Sequence, residues 1–217
     1  MAIRVIDPYS RRTLRHTFMA TALTAFLVPS FGAAQTASTP PVKSETKKTA
    51  KPAPTVEFPK DLDGLFALLG KTRDKKMGDR IAQQIWEIWR TSDSKSIDLL
   101  TRWAISAGRN KRYGKALDLL DQIVVLRPDY AEGFNQRATL HFMMRNYGKS
   151  IVDIERTLAL EPRHFGALSG LASILETLER KEQALETWYR VLAVYPANEG
   201  AQKAVVRLEE ELAGRGI

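Results

Sequence analysis

Residues 131–164 read AEGFNQRATLHFMMRNYGKSIVDIERTLALEPRH, ending just past Leu160-Glu161-Pro162. Thirty-four residues earlier the chain reads Leu126-Arg127-Pro128, and thirty-four later Val194-Tyr195-Pro196. A fixed period of this length marks a repeat array whose unit is a pair of helices. The agreement extends beyond proline. Ala116, Ser150 and Ala184 share one register, as do Leu117, Ile151 and Leu185, then Leu120, Ile154 and Trp188, then Ile123, Thr157 and Val191. Within a unit these positions lie three or four residues apart, which stacks them on one helical face. In the first half of each unit Leu100, Phe134 and Leu168 align, followed by Ala104, Ala138 and Ala172. A small residue in that slot lets two helices approach closely, and a large one would overpack the contact.

Each proline ends a helix, because it has no N–H to donate and drives the preceding residue out of the α region. Gly114 and Gly148 fall near the turn between the two helices of a unit, where a tight connection favours glycine.

This pattern resembles the tetratricopeptide repeat family. The small residues Ala104, Ala138 and Ala172, the second set Ala116, Ser150 and Ala184, the tyrosines Tyr113 and Tyr147, and Pro128, Pro162 and Pro196 match its motif. The resemblance covers residues 97–198, as three units at 97–130, 131–164 and 165–198. Three positions depart from the motif. Arg137 stands where the flanking units have Trp103 and Leu171, Lys181 where Tyr147 sits one unit earlier, and Thr157 where alanine is usual. The resemblance implies an all-α fold: a right-handed superhelix of antiparallel helix pairs, with a concave face that binds a peptide or protein. Residues 199–217 read as a capping helix and tail, with Ala201, Ala204, Val205 and Leu208 inward and Gln202, Lys203, Arg207, Glu209 and Glu210 outward. A polar-backed terminal helix is what a repeat stack needs to close its end.

The N-terminal third has a different character. Residues 1–17 are polar and arginine-bearing, residues 18–28 read FMATALTAFLV, and residues 29–34 end in Gly32-Ala33-Ala34. This is the three-part layout of a secretory signal, with the cut expected after Ala34. The apolar run is shorter than the roughly 20 residues of a membrane-spanning helix. Without cleavage it would instead act as a membrane anchor. Ser10-Arg11-Arg12-Thr13-Leu14 is a partial match to a twin-arginine address, with Arg15 interrupting the apolar part; paired arginines also occur in ordinary signal n-regions. No cysteine follows the run, so this is not a lipoprotein signal. Residues 35–57, QTASTPPVKSETKKTAKPAPTVE, have almost nothing to bury and read as a disordered linker. The linker serves either as a solvated spacer or as a cationic tether to an anionic surface. The layout places the mature chain in a bacterial-type periplasm.

Residues 58–96 read as a degenerate first helix pair. Leu62, Leu65, Phe66, Leu68 and Leu69 mark a short apolar helix; Ile81, Ala82, Ile85, Trp86, Ile88 and Trp89 mark a wide stripe on a second. Ala82 and Trp86 lie one period before Ala116 and Leu120, so the stripe is expected to face the next unit as core. Ser94, in the helix-stop and N-cap cluster Thr91-Ser92-Asp93-Ser94, takes the place of proline. If the two tryptophans were exposed, they would be a binding platform or a self-association surface.

The chain of 217 residues has a formal charge of +8, but residues 1–34 carry +3 of it and residues 35–57 another +2. The remaining +3 is mixed with acidic residues and forms no basic stripe, which argues against a nucleic-acid partner. The chain lacks cysteine, and none of its three histidines pairs with another at metal-ligand spacing. It has no G-x-S-x-G turn and no phosphate-cradling glycine loop. Neither an enzyme nor a bound cofactor or metal is expected, and His141 reads as packed between helices. The rival reading keeps the chain as a regulatory subunit of an envelope enzyme.

In the resembling family the first helix of each pair faces the concave side. Setting aside the packing positions leaves Thr101 and Ile105, then Asn135, Thr139, Phe142 and Met143, then Ser169, Ser173 and Glu176 as groove candidates. Asparagine and threonine would hydrogen-bond a bound backbone, and Phe142 and Met143 would give an adaptable apolar anchor. The lysine–asparagine clamp by which some members hold a C-terminal carboxylate is largely absent from Thr101, Ile105 and Asn135.

Overall fold

The computed structural model describes residues 58–214; the signal-like segment and the linker lie outside them. Among the described residues there are nine α-helices and no strand. They are α1 (Leu62–Leu69), α2 (Lys75–Trp89), α3 (Lys95–Arg109), α4 (Tyr113–Leu126), α5 (Ala131–Met143), α6 (Tyr147–Leu160), α7 (Phe165–Thr177), α8 (Lys181–Val194) and α9 (Glu199–Ala213). Helices α3 to α8 form three antiparallel pairs, and α9 packs on α8 to finish an all-α repeat superhelix. Its inner residues Ala201, Ala204, Val205 and Leu208 are buried.

The repeat boundaries follow from local backbone chemistry. Arg127, Glu161 and Tyr195, each preceding a proline, have φ of −136°, −137° and −132° and leave the helical region. In the first two pairs the turn is made three residues before the expected glycine, and the third pair, which has Glu182 in that register, turns at the equivalent position. Lys111, Arg145 and Glu179 take φ of 57°, 59° and 56°, one in each unit. The next amide closes the first helix, as in Arg112 N–H to Ala107 O at 2.9 Å and Asn146 N–H to His141 O at 2.8 Å. Gly114 and Gly148 instead sit in the first turns of α4 and α6, with open space around them.

The core explains the departures in the middle unit. Ala104, Ala138, Ala172, Ala116, Ser150 and Ala184 are all buried at the helix–helix contacts. Ser150 is tolerated among them because its hydroxyl donates to Ala138 O at 2.8 Å. Thr157 is buried and donates to Asp153 O at 2.8 Å. Arg137 forks onto the buried Asp153 carboxylate at 2.9 and 2.6 Å and also meets Asp121 at 2.8 Å. A charged network on α4, α5 and α6 thus fills a slot that Leu171 fills with apolar contact.

The helix pair α1–α2 departs most from expectation. Its tryptophan stripe does not face residues 97–130. Trp86 and Trp89 pack on His164 and Phe165, at the start of the third unit. One apolar cluster joins Leu65, Leu69, Ile81, Ile85 and Trp89 to Phe165, Tyr195 and Ala197. Polar contacts run along the same seam: Arg163 to Asp63 at 2.8 Å, Tyr195 hydroxyl to Asp79 at 2.5 Å, and Arg163 over the Phe66 ring at 4.2 Å. Two glycines make the approach possible. A Cβ on Gly166 would stand 2.5 Å from the Trp86 ring, and one on Gly78 2.9 Å from that of Tyr195. With the pair folded back, Trp103 is 53% exposed, although its counterpart Leu171 packs within the stack.

Candidate functional site

The first helices of the three units are neighbours: α3 contacts α5, and α5 contacts α7. An open cleft of ≈ 670 Å³ lies between α3 and α5, with Arg102, Ile105, Arg109, Gln136, Thr139 and Met143 on its walls. A smaller one of ≈ 150 Å³ lies between α5 and α7, bounded by Asn135, Thr139, Phe142, Gly166 and Gly170. A third, ≈ 400 Å³, opens between α2 and α7, with Gln83, Trp86 and Arg90 opposite Phe165 and Ser169. Arg90 lines both the first and the third, so the end of α2 is a wall of the groove. A larger hollow of ≈ 860 Å³ lies elsewhere on α1–α2, beside Phe58 and Arg80, and shares no residue of the first helices.

Ile105, Thr139 and Met143 come together in the α3–α5 cleft, and Met143 is exposed. Phe142 is half-buried against Tyr147, with ring centroids 5.8 Å apart, and shows one edge to the α5–α7 cleft. Three candidates are turned away from the role expected of them. Thr101 is 2% exposed and donates to Ile97 O at 2.8 Å. Asn135 is 6% exposed and donates to Glu132 at 2.8 Å, so its amide is engaged inside the fold. Glu176 accepts from the Trp188 indole at 2.6 Å and pairs with Arg207, which binds it into the α7–α8–α9 packing. Thr139, Ser169 and Ser173 each donate to the carbonyl four residues back, at 2.9, 2.7 and 2.9 Å, leaving only their oxygen lone pairs for a ligand.

Beneath the groove is a buried polar knot. His164 caps α7, its Nδ1 accepting the Ala167 N–H at 3.1 Å. That bond places the ring proton on Nε2, which lies 3.3 Å from Glu132 Oε2. Glu132 also accepts from Asn135 and Gln136, and Trp89 lies over the imidazole. Both His164 and Glu132 are out of contact with water, so the knot braces the groove instead of binding in it. His141 is buried between α5 and α6 as expected, and burial holds its pKa below the usual histidine range.

Sequence reasoning did not select the groove's arginines. Arg102 and Arg109 are seven residues apart on α3 and hence on one face, a signal lost in the mixed charge of the region. Arg90 gave no signal, because nothing local says where the end of α2 will rest. All three are exposed, and among the described residues none is in an ion pair. Arg90 stacks over Trp86 at 5.2 Å.

No family model matches the chain. It is 43% identical over 194 residues to a TPR repeat-containing protein of Rhizobium etli, covering 89% of this chain and 95% of that one. A second relative, the small glutamine-rich tetratricopeptide repeat-containing protein 2 of Mycosarcoma maydis, is 26% identical over 47% of this chain and 29% of its own length. Among solved structures, the first TPR of Spaghetti (RPAP3), bound to the HSP90 peptide SRMEEVD, superposes with a TM-score of 0.53. It has 21% identity and covers 56% of this chain and 96% of that one. The Sgt2 TPR domain of Aspergillus fumigatus gives 0.52 at 18% identity, covering 57% and 83%. The period, the three helix pairs and the Rhizobium relative agree: this chain belongs to the tetratricopeptide repeat family.

Proposed function

We propose that the chain is a non-catalytic adaptor of the bacterial cell envelope that holds a segment of a partner protein in the groove of α3, α5 and α7, walled by α2. Tetratricopeptide repeat proteins generally mediate protein–protein interaction, and a solved relative of this fold was captured with a peptide. The observation that carries the reading is the α3–α5 cleft: half-buried Ile105 and exposed Met143 flanked by cationic side chains without ion-pair partners among the described residues. Exposed apolar surface rimmed by polar groups marks an interaction site. Export is supported by the three-part layout of residues 1–34.

The test is capture from the native envelope fraction, comparing wild type with Ile105→Asp/Met143→Asp. Partners lost from a folded variant would establish the groove as the site. Retention of every partner would sink the groove reading. For export, N-terminal sequencing of the envelope-derived protein is expected to start near Gln35, and a retained Met1 would overturn cleavage. The apolar run at residues 18–28 also supports a tethered form. In that case the protein stays with the membrane pellet after carbonate extraction.

A further inference from the structure

We infer that the α3–α5 cleft selects a partner segment bearing carboxylates around an apolar side chain, and that α2 takes part in the selection through Arg90. This rests on the groove being the partner site. Arg90, Arg102 and Arg109 come from two helices and converge on one cleft of ≈ 670 Å³ floored by Ile105, Leu140 and Met143. No acidic side chain lines it. Elsewhere Asp63, Asp79, Asp121, Asp153, Glu161 and Glu211 already have basic partners. The nearest counter-charge to Arg102 on its own helix is Asp98, which is buried and accepts from the Ser92 N–H and hydroxyl at 2.7 Å each. Three guanidiniums outside any ion pair of the described residues, with only the buried Asp98 acting on Arg102 from nearby, sit over an apolar floor and fit a ligand that brings both carboxylate and hydrocarbon. The planar fork of arginine suits bidentate carboxylate contact.

Other occupants fit less well. Residues 1–57 of this chain carry eight basic and three acidic residues, the wrong sign for this cleft. At the acidic end of a second copy, Glu209 already accepts from Tyr189 and Glu211 is held by Lys181 and Arg207, which leaves Glu210 alone of the three without a partner among the described residues. A polynucleotide would pair with a track of cations, whereas this cleft has a floor of Ile105, Leu140 and Met143.

The test starts from a random heptapeptide library, amidated at the C-terminus, selected on the full chain. Enriched peptides are expected to carry two or more Asp or Glu beside Leu, Met or Phe. The best of them, titrated by fluorescence anisotropy, is expected to bind about five- to tenfold more weakly to Arg90→Gln, Arg102→Gln and Arg109→Gln singly, with unchanged melting temperature. Arg102→Glu/Arg109→Glu is expected to enrich basic peptides instead. Neutral or basic peptides on the wild type, lost in Ile105→Asp/Met143→Asp, would overturn this inference and leave the groove function standing. Acidic peptides indifferent to all three arginine substitutions would also overturn it. So would self-association abolished by Arg102→Gln, or displacement of the peptide by a single-stranded oligonucleotide. Failure to enrich any peptide, together with full partner capture by Ile105→Asp/Met143→Asp, would remove both readings.

Discussion

Trp89 lies flat on His164, with ring centroids 4.0 Å apart and planes 7° from parallel. The two residues lie far apart in the sequence, one closing α2 and the other opening α7. Trp89 is 8% exposed, so truncating it removes both the stack and a large share of the seam. Trp89→Ala is expected to cost about 3–5 kcal/mol in urea denaturation. It should also open the Thr91–Ser94 connection to limited proteolysis while the three repeats stay helical. An unchanged midpoint would mean that the pair adds nothing to stability.

Gly166 of α7 faces Trp86 of α2 with no room for a side chain. A Cβ there would stand 2.5 and 2.8 Å from two Trp86 ring atoms, so the half-buried indole would have to shift and give up its edge contacts with Trp89 and Phe165. Gly166→Ala is expected to destabilise by about 1–3 kcal/mol, although it favours the helix intrinsically. Amide hydrogen exchange should accelerate in α2 and stay slow in α8. Equal exchange in wild type and variant would refute the docking geometry.

His141 is a pH-dependent liability. Burial disfavours its charged form, so its folded pKa lies below the unfolded value near 6.5. The unfolded chain therefore binds this proton first. The stability due to the neutral ring is fully present above pH 6.5 and is lost as the pH falls through the folded pKa. One such group gives a slope of at most about 1.4 kcal/mol per pH unit. Its Nδ1 has no partner among the described residues, so His141→Leu removes no hydrogen bond there. The variant is expected to lose less stability between pH 7 and 5 than wild type, measured by urea titration at each pH. Parallel curves would show that His141 does not titrate in this range.

Ala138 tests the repeat register itself. It is buried with Ile154, Ala167 and Ile174, and its carbonyl accepts the Ser150 hydroxyl. Ala138→Leu is expected to cost about 1–3 kcal/mol. Gly148→Ala, in the first turn of α6 and facing open space, is expected to be neutral or stabilising by up to about 1 kcal/mol. If both variants melted like wild type, the small-residue contact would not be a packing constraint.

The repeats were legible because each of their signals is local and recurs. A proline, a small residue and an apolar stripe recur at one spacing, and each acts within a turn or two of itself. The amphipathic stripe of α2 was legible too. It states that Ile81, Ile85 and Trp89 are buried, but it carries no record of what buries them. Register with Ala116 and Leu120 pointed to the next unit, residues 97–130, while Gly78, Gly166 and Tyr195 settled the pair on the third unit. The groove suffered the same limit. Thr101 and Asn135 occupy groove registers, yet the first turns inward to Ile97 O and the second to Glu132. Arg90 became a groove residue only through the fold-back of its helix.

An ordinary solenoid touches only its neighbours, and evolution can lengthen it by copying a unit. Here Asp63, Asp79 and Trp89 clasp Arg163, Tyr195 and His164, roughly a hundred residues further on. Duplicating the unit at residues 131–164 would leave a copy of Arg163 and His164 in place but carry Phe165, Gly166 and Tyr195 away by a full repeat's rise and turn, and the clasp would meet a surface it fits only in part. The array has a fixed number of units, set by the distance its first helices must span to reach the third pair.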